Sequence, residues 1–218
     1  MSGWWSPLFR DCGEGERPGG LELTERAAEY CGFGADSRLL DVAAGKGATV
    51  RFLRETLGCQ VSGLDSDPAC HCPEVAPGQA EELPYPDGAF DGVFLECALS
   101  QMEGPEAVLR ECARVLRPGG YFVLSDLYAK RGGDAPTPLG RLDSRETLED
   151  RLGRAGLAPA LFEDHTAALT SLWAGAMMSG AGCGVLEILH GPDWPEGIKP
   201  GYYLCAARKA GNVCGPCI

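Results

Sequence analysis

Apolar and polar positions alternate in blocks along this chain. Ser37–Ala43 (SRLLDVA), Cys59–Asp65 (CQVSGLD), Ala89–Leu99 (AFDGVFLECAL) and Gly120–Tyr128 (GYFVLSDLY) are short apolar runs that end at polar residues, the signature of buried strands. Helix-like runs lie between them. ATVRFLRETLG stops at Gly58, Gly104–Leu116 opens with Pro105 near its first turn, and Ser144–Leu157 offers Ser144 as an N-cap with Thr147 as a weak capping partner. APALFEDHT and Gly201–Lys209 (GYYLCAARK) close the pattern as strands, while the Gly/Pro/Asp-rich segment Lys130–Arg141 and the tail after Lys209 read as loops. Such alternation predicts an α/β chain with a doubly wound, mostly parallel sheet and helices on both faces. Residues 1–36 form a lead-in with a helix, 37–209 one domain, and 210–218 a cysteine-containing tail.

Composition narrows the partners. With 218 residues and 44% hydrophobic content the chain can build one proper core. Its net charge of −12 argues against nucleic acid, which is held by Lys and Arg clusters. A small-molecule partner is expected. The uncharged stretch Ala167–Leu186 approaches membrane-spanning length. Its Gly, Ser and Thr content, with a stripe of Leu169, Leu172, Trp173, Ala176 and Met177, fits a helix docked on the sheet and then a Gly-rich loop. No membrane partner is expected. The opening residues carry neither a basic leader nor an apolar run, and the eleven cysteines are odd in number, so mostly reduced thiols and a cytoplasmic location are expected.

The chemistry concentrates at LLDVAAGKGA, Leu39–Ala48. In doubly wound sheets the ligand sits beyond the carboxyl ends of the strands, where glycines let the backbone approach it. A dinucleotide fingerprint fails here, because the third glycine place counted from Gly45 is Val50. The pattern Asp/Glu-x-Gly-x-Gly-x-Gly, with an acid at the end of the second strand, is matched by Asp41, Ala43, Gly45, Gly47 and Asp65, Ala43 standing in the first glycine place. These residues resemble motif I of the class I, Rossmann-like S-adenosylmethionine-dependent methyltransferases. Ala80–Phe94 and Glu111–Asp126 extend the resemblance, which covers Ser37 to Asp126.

The resemblance implies a Rossmann-like methyltransferase fold, S-adenosylmethionine as cofactor and a small-molecule methyl acceptor. Asp41, Ala43, Gly45, Gly47, Asp65, Ser66, Gln79, Ala80 and Glu96 would bind the cofactor, with Asp65 clamping the ribose hydroxyls. Gln79 replaces the family's usual acid at the adenine amine, to which an amide oxygen can still accept a bond. Glu96 and Cys97 after the fourth strand and Asp126 after the fifth are the catalytic candidates, with Tyr128 and His165 as further candidates near the methyl group. The main departure is Ser66–Ala80, where SDPACHCPEVAPGQA is too short and proline-rich for the usual helix, so the fold is expected to be shortened between the second and fourth strands.

Cysteines leave alternatives open. Cys70 and Cys72 with Cys214 and Cys217 could hold zinc, but the one-residue spacing of the first pair is unlike a zinc motif, and no metal site is expected. Cys97 is either core filler or a thiol for a soft acceptor. Its segment is similar to the arsenite methyltransferase branch, for which Cys183 and Cys205 are further candidates by residue type only. The rival functions are a methyltransferase-like protein that binds a cofactor or metal without turnover, and an NAD(P)-dependent reductase.

Overall fold

A computed structural model describes residues 17–178 and 187–211. In chain order the elements are α1 (Gly20–Cys31), β1 (Arg38–Val42), α2 (Ala48–Leu57), β2 (Gln60–Asp65), β3 (Val75–Pro77), β4 (Phe90–Glu96), α3 (Pro105–Val115), β5 (Leu116–Arg131), β6 (Ala135–Thr137), β7 (Gly140–Leu142), α4 (Arg145–Arg154), β8 (Leu157–Asp164), α5 (Thr166–Met178) and β9 (Lys199–Lys209). Seven strands form one sheet in the order β3-β2-β1-β4-β5-β9-β8. Pairing is parallel from β3 to β5, and β9 runs antiparallel to both of its neighbours.

Period-two alternation sorts the strand residues onto two faces. Leu39, Val61, Phe94, Val123 and Leu204 pack with Ala27, Ala28, Val50 and Leu53 of α1 and α2. Leu40, Val93, Leu95, Phe122 and Leu124 pack with Val108, Leu109 and Cys112 of α3 and Leu148 and Leu152 of α4. Strands buried on both sides read as continuous apolar runs, which is why GVFLE and YFVL are legible as core strands. The helices end where their sequences say. Gly58 adopts φ 71 and closes α2, its N–H donating to the Arg54 carbonyl and the Cys59 N–H to the Leu53 carbonyl, and Ser144 caps α4 by accepting the Thr147 N–H at 3.2 Å.

Two segments differ from the pattern's expectation or strain it. Lys130–Arg141, read as loop, contains the hairpin β6–β7, closed by a Thr137 Oγ1 bond to the Gly140 carbonyl at 2.7 Å and anchored by buried Ala135, Leu139 and Leu142. Glycine and proline mark its turn and strand ends rather than disorder of the pairing. In α5 the predicted stripe is only partly docked: Leu169 is buried and Trp173 packs beside it, but Met177 is exposed. No described helix is long and apolar enough to cross a membrane.

Between β2 and β4 the chain is short, as the sequence requires. Ser66–Gly78 holds one 3-10 turn (Pro68–Cys70) and the three-residue β3, with no α-helix. β3 pairs only with Gly63–Asp65, so the first half of β2 is a sheet edge. Arg54 covers part of it, its Nε donating to the Val61 carbonyl at 3.0 Å.

Candidate functional site

Parallel register gathers the glycine turn and both acids at one edge. Val42 at the end of β1 lies beside Leu64 of β2 and Leu95 of β4, so the next residues are Ala43, Asp65 and Glu96. Ala43 takes φ 56, the left-handed region that glycine occupies freely and an L side chain enters at a cost of about 1 kcal/mol. It stands where the motif carries glycine, and the backbone keeps the glycine shape. At Gly45 (φ 53) an added Cβ would point into open space, and its N–H donates to Asp65 Oδ2 at 2.8 Å. Asp65 Oδ1 accepts the Asp67 N–H, also at 2.8 Å. One backbone bond on each oxygen fixes the carboxylate and leaves acceptor capacity for a further donor pair. Gly47 (φ 78) caps α2, where a Cβ would come within 3.1 Å of Val75 Cγ2.

Next to the turn lies a buried polar network. Glu96 Oε2 accepts from Thr49 Oγ1 at 2.7 Å and from Arg17 Nη2 at 2.9 Å, and Oε1 accepts from Thr24 Oγ1 at 3.1 Å. Arg17 Nη2 also reaches Thr49 Oγ1 at 3.0 Å and bonds Thr24 Oγ1. The Arg17 and Glu96 side chains are 15% and 4% exposed. Asp41 shares this face and is fully buried. Burial first, then the charge of Glu96, hold its carboxyl well above the usual range, with Arg17 pulling the other way. Sequence reasoning missed Arg17, Thr24 and Thr49, because their distance from Glu96 along the chain leaves no local signal.

On the other side of Glu96 stands Cys97, a second non-glycine residue with positive φ, 55. Strained backbone of this kind is concentrated at ligand sites. The Cys97 Sγ lies 2.9 Å from the Tyr202 hydroxyl, which donates to Ser125 Oγ at 3.1 Å. Burial pushes the Cys97 thiol up to about 12, so it is protonated at neutral pH, and burial raises the Tyr202 hydroxyl well above its ordinary value. Tyr202 was also missed, since β9 reads simply as an apolar strand.

Other predicted residues lie elsewhere. Glu96 pairs in register with Ser125, so Asp126 points to the opposite face. There it accepts from the Ser100 N–H at 2.8 Å, Ser100 Oγ at 2.9 Å and the Leu127 N–H at 2.7 Å, which makes it a clamp on the turn after β4. Burial raises its carboxyl from 3.8 to about 6. Tyr128 shares that face and donates to Asp164 Oδ2 at 2.8 Å, and Cys205 packs in the same core. Ser66 and Gln79 are exposed and Ala80 is buried. His165 bonds Glu163 at 3.2 Å through Nε2, and its N–H donates to the Tyr202 carbonyl. Cys70 and Cys72 are half-buried, with His71 Nε2 3.0 Å from the Asp65 carbonyl. Cys183, Cys214 and Cys217 lie outside the described residues. Among the described residues no group of three or more His, Cys, Asp or Glu side chains is arranged to hold a metal ion.

Residues 40–124 match the family model described as a methyltransferase domain. Over those residues the chain is similar to that family. The chain is 32% identical over 162 residues to the sarcosine/dimethylglycine N-methyltransferase of Halorhodospira halochloris, a match covering 62% of this chain and 56% of that protein. The chain spans about half the length of the curated relatives it matches. Among solved structures, the [4+2]-cyclase SpnF has the same fold at TM-score 0.71 and 22% identity, covering 95% of this chain and 93% of that one. Haemonchus contortus phosphoethanolamine N-methyltransferase 2, in complex with phosphomonomethylethanolamine and S-adenosylhomocysteine, matches at TM-score 0.72 and 17% identity, covering 95% of this chain and 56% of that one. The chain thus shares its fold with proteins of several names.

Proposed function

We propose that this protein transfers a methyl group from S-adenosylmethionine to a small-molecule acceptor, within a domain spanning residues 37–209. The observation that carries the reading is the Gly45 N–H bond to the Asp65 carboxylate, which locks an open glycine turn against an acid at the second strand end. The residues fit the group. Asp65 has acceptor capacity left for a diol, Gly45 leaves space above the turn, and the carboxylates of Asp65 and Glu96 outnumber the one guanidinium, which suits a net-positive sulfonium. When bound, S-adenosylmethionine supplies an activated methyl group for in-line displacement.

The chain's own contribution is alignment and exclusion of water. Asp65 holds ribose hydroxyls, and Asp41 and Glu96 present buried oxygen atoms beside the turn. Cys97 and Tyr202 are neutral hydrogen-bonding groups that orient an acceptor and hold their own protons at Sγ and the phenol oxygen. Asp126 fixes the turn that follows Cys97. The relatives' names favour an amine acceptor, whereas Cys97 favours a soft acceptor of the kind handled by the arsenite branch. No second described cysteine packs in the same cluster as Cys97, which supports the amine. The charge of −12 supports a partner other than nucleic acid, and the cysteine content supports a cytoplasmic location.

A second reading is binding without methyl transfer, supported by the thin Ser66–Gly78 segment and by the cyclase on the same fold. An acceptor screen read out by S-adenosylhomocysteine release separates them. Release with at least one amine or thiol acceptor supports methyl transfer. Tight S-adenosylhomocysteine binding with no release from any acceptor supports the second reading.

A further inference from the structure

A cavity of about 340 Å³ opens at the starts of β1, β2 and β4, where Arg38, Gln60 and Phe90 are the first residues of their strands. The glycine turn and Asp65 lie at the other ends. The five residues of β1, at roughly 3.3 Å each, separate the two places by about 16 Å. Four polar side chains line the cavity, Arg38, Gln60, Ser62 and Tyr85, and among the described residues none of these side chains makes a hydrogen bond or an ion pair. Arg38 and Gln60 are register partners in neighbouring strands, and Ser62 lies two residues beyond Gln60, so alternation sets all three on one face of the sheet.

The rest of the lining is apolar and held in shape. Tyr85 meets the buried Phe90 ring edge-on, with centroids 4.9 Å apart and planes at 85°. Arg114 of α3 pins the segment by donating to the Tyr85 carbonyl at 2.8 Å and to the Leu83 carbonyl at 3.0 Å. The charge of the lining is the reverse of the chain's. A chain with net charge −12 lines this cavity with one guanidinium and no carboxylate. The acids closest to Tyr85 and Phe90 in sequence, Asp87 and Asp91, are ion-paired with Arg114 and Arg117, and Asp91 also accepts the Arg38 backbone N–H.

We propose that this cavity binds an aromatic carboxylate, its charged end on Arg38 and its ring against Tyr85, Pro86 and Phe90. A guanidinium offers parallel N–H groups that match the two oxygens of a carboxylate, and the free donors of Gln60, Ser62 and Tyr85 add to it. A third ring joins an edge-to-face pair in the same geometry that holds the first two. The volume falls in the range of small-ligand sites and has room for a ring rather than a long chain. None of these residues belongs to the glycine-turn site, so the inference stands apart from the proposed function.

Titration of the full chain with benzoate, followed by two-dimensional amide NMR, tests it. Benzamide serves as the uncharged isostere and inorganic phosphate as an anion without a ring. Benzoate is expected to give saturable shifts at Arg38, Gln60, Ser62 and Phe90, with Gly45, Cys97 and Tyr202 unmoved. Benzamide and phosphate are each expected to bind at least fivefold more weakly. Arg38 is exposed, so Arg38→Met keeps the fold; it is expected to weaken benzoate at least fivefold and leave benzamide unchanged, with partial rescue by Arg38→Lys. The proposal is overturned by an absence of saturable shifts around Arg38, by shifts confined to the glycine-turn site, by equal affinity for benzamide or phosphate, or by unchanged benzoate binding in Arg38→Met.

Discussion

The two sides of the glycine turn are built differently. At the β1–β4 end, Arg17, Thr24, Asp41, Thr49 and Glu96 form a nearly dry polar cluster, with Glu96 taking three side-chain donors. At the β2–β3 end, Ser66–Gly78 is an exposed loop around a three-residue strand, and Ser66 and Gln79 lie open to solvent. Polar side chains are kept buried at the cost of desolvation only where they hold something in place. The difference teaches that the β1–β4 end is fixed by the fold before anything binds. On the proposed function, the β2–β3 end would rely on Asp65 and the turn backbone.

The largest effect that would break this comparison is at Glu96. Replacing it with Ala leaves the Arg17 guanidinium buried without its counter-charge, and we expect a loss of about 3–5 kcal/mol in folding stability. Urea denaturation of the two proteins measures it, and a loss below about 1 kcal/mol would show that the cluster is not dry.

The acid on the opposite face sharpens the contrast through pH. Asp126 has its pKa raised by burial from 3.8 to about 6. A raised acid stabilises the fold when protonated, so its contribution is fully present below pH 3.8 and is lost as pH rises through about 6. A rise of about 2 units at 1.36 kcal/mol each amounts to roughly 3 kcal/mol. The stability gap between wild type and Asp126→Asn, followed from pH 4 to 8, is expected to move against the wild type across that window. A gap independent of pH contradicts the assignment.

A smaller effect comes from the turn itself. Ala43→Gly removes the left-handed strain, and a gain of up to about 1 kcal/mol is expected in thermal or urea unfolding, partly offset by the greater freedom of the unfolded chain. A clear loss would mean that the Ala43 methyl packs usefully.

Much of this was legible in the residues, for physical reasons. Continuous apolar runs give strands buried on both faces, and Pro and Gly punctuate the helices, so order and type of the main elements follow directly. The glycine turn and Asp65 are legible as local motifs, and the fold sets them side by side. Asp126, a catalytic candidate by its place at a strand end, lies on the face opposite Glu96, and alternation carries that signal: Leu124 and Phe122, two and four residues before it, face α3 and α4. The β6–β7 hairpin was hidden because its strands are three residues long and its apolar anchors are sparse. Arg17 and Tyr202 were invisible for a different reason: each meets its partner only through tertiary folding, across 79 residues to Glu96 and 105 to Cys97.

The central claim, a cofactor held by the glycine turn and Asp65 with little help from the short segment, is tested most directly by calorimetric titration of S-adenosylhomocysteine into wild type, Asp65→Ala and Gln79→Ala. The account predicts that Asp65→Ala binds roughly tenfold to a hundredfold more weakly, about 1.5–3 kcal/mol for hydrogen bonds to a charged, partly buried acceptor. Gln79→Ala is predicted to change affinity by less than about threefold, since the side chain is exposed. Equal affinity for wild type and Asp65→Ala, or a larger loss at Gln79 than at Asp65, would contradict it.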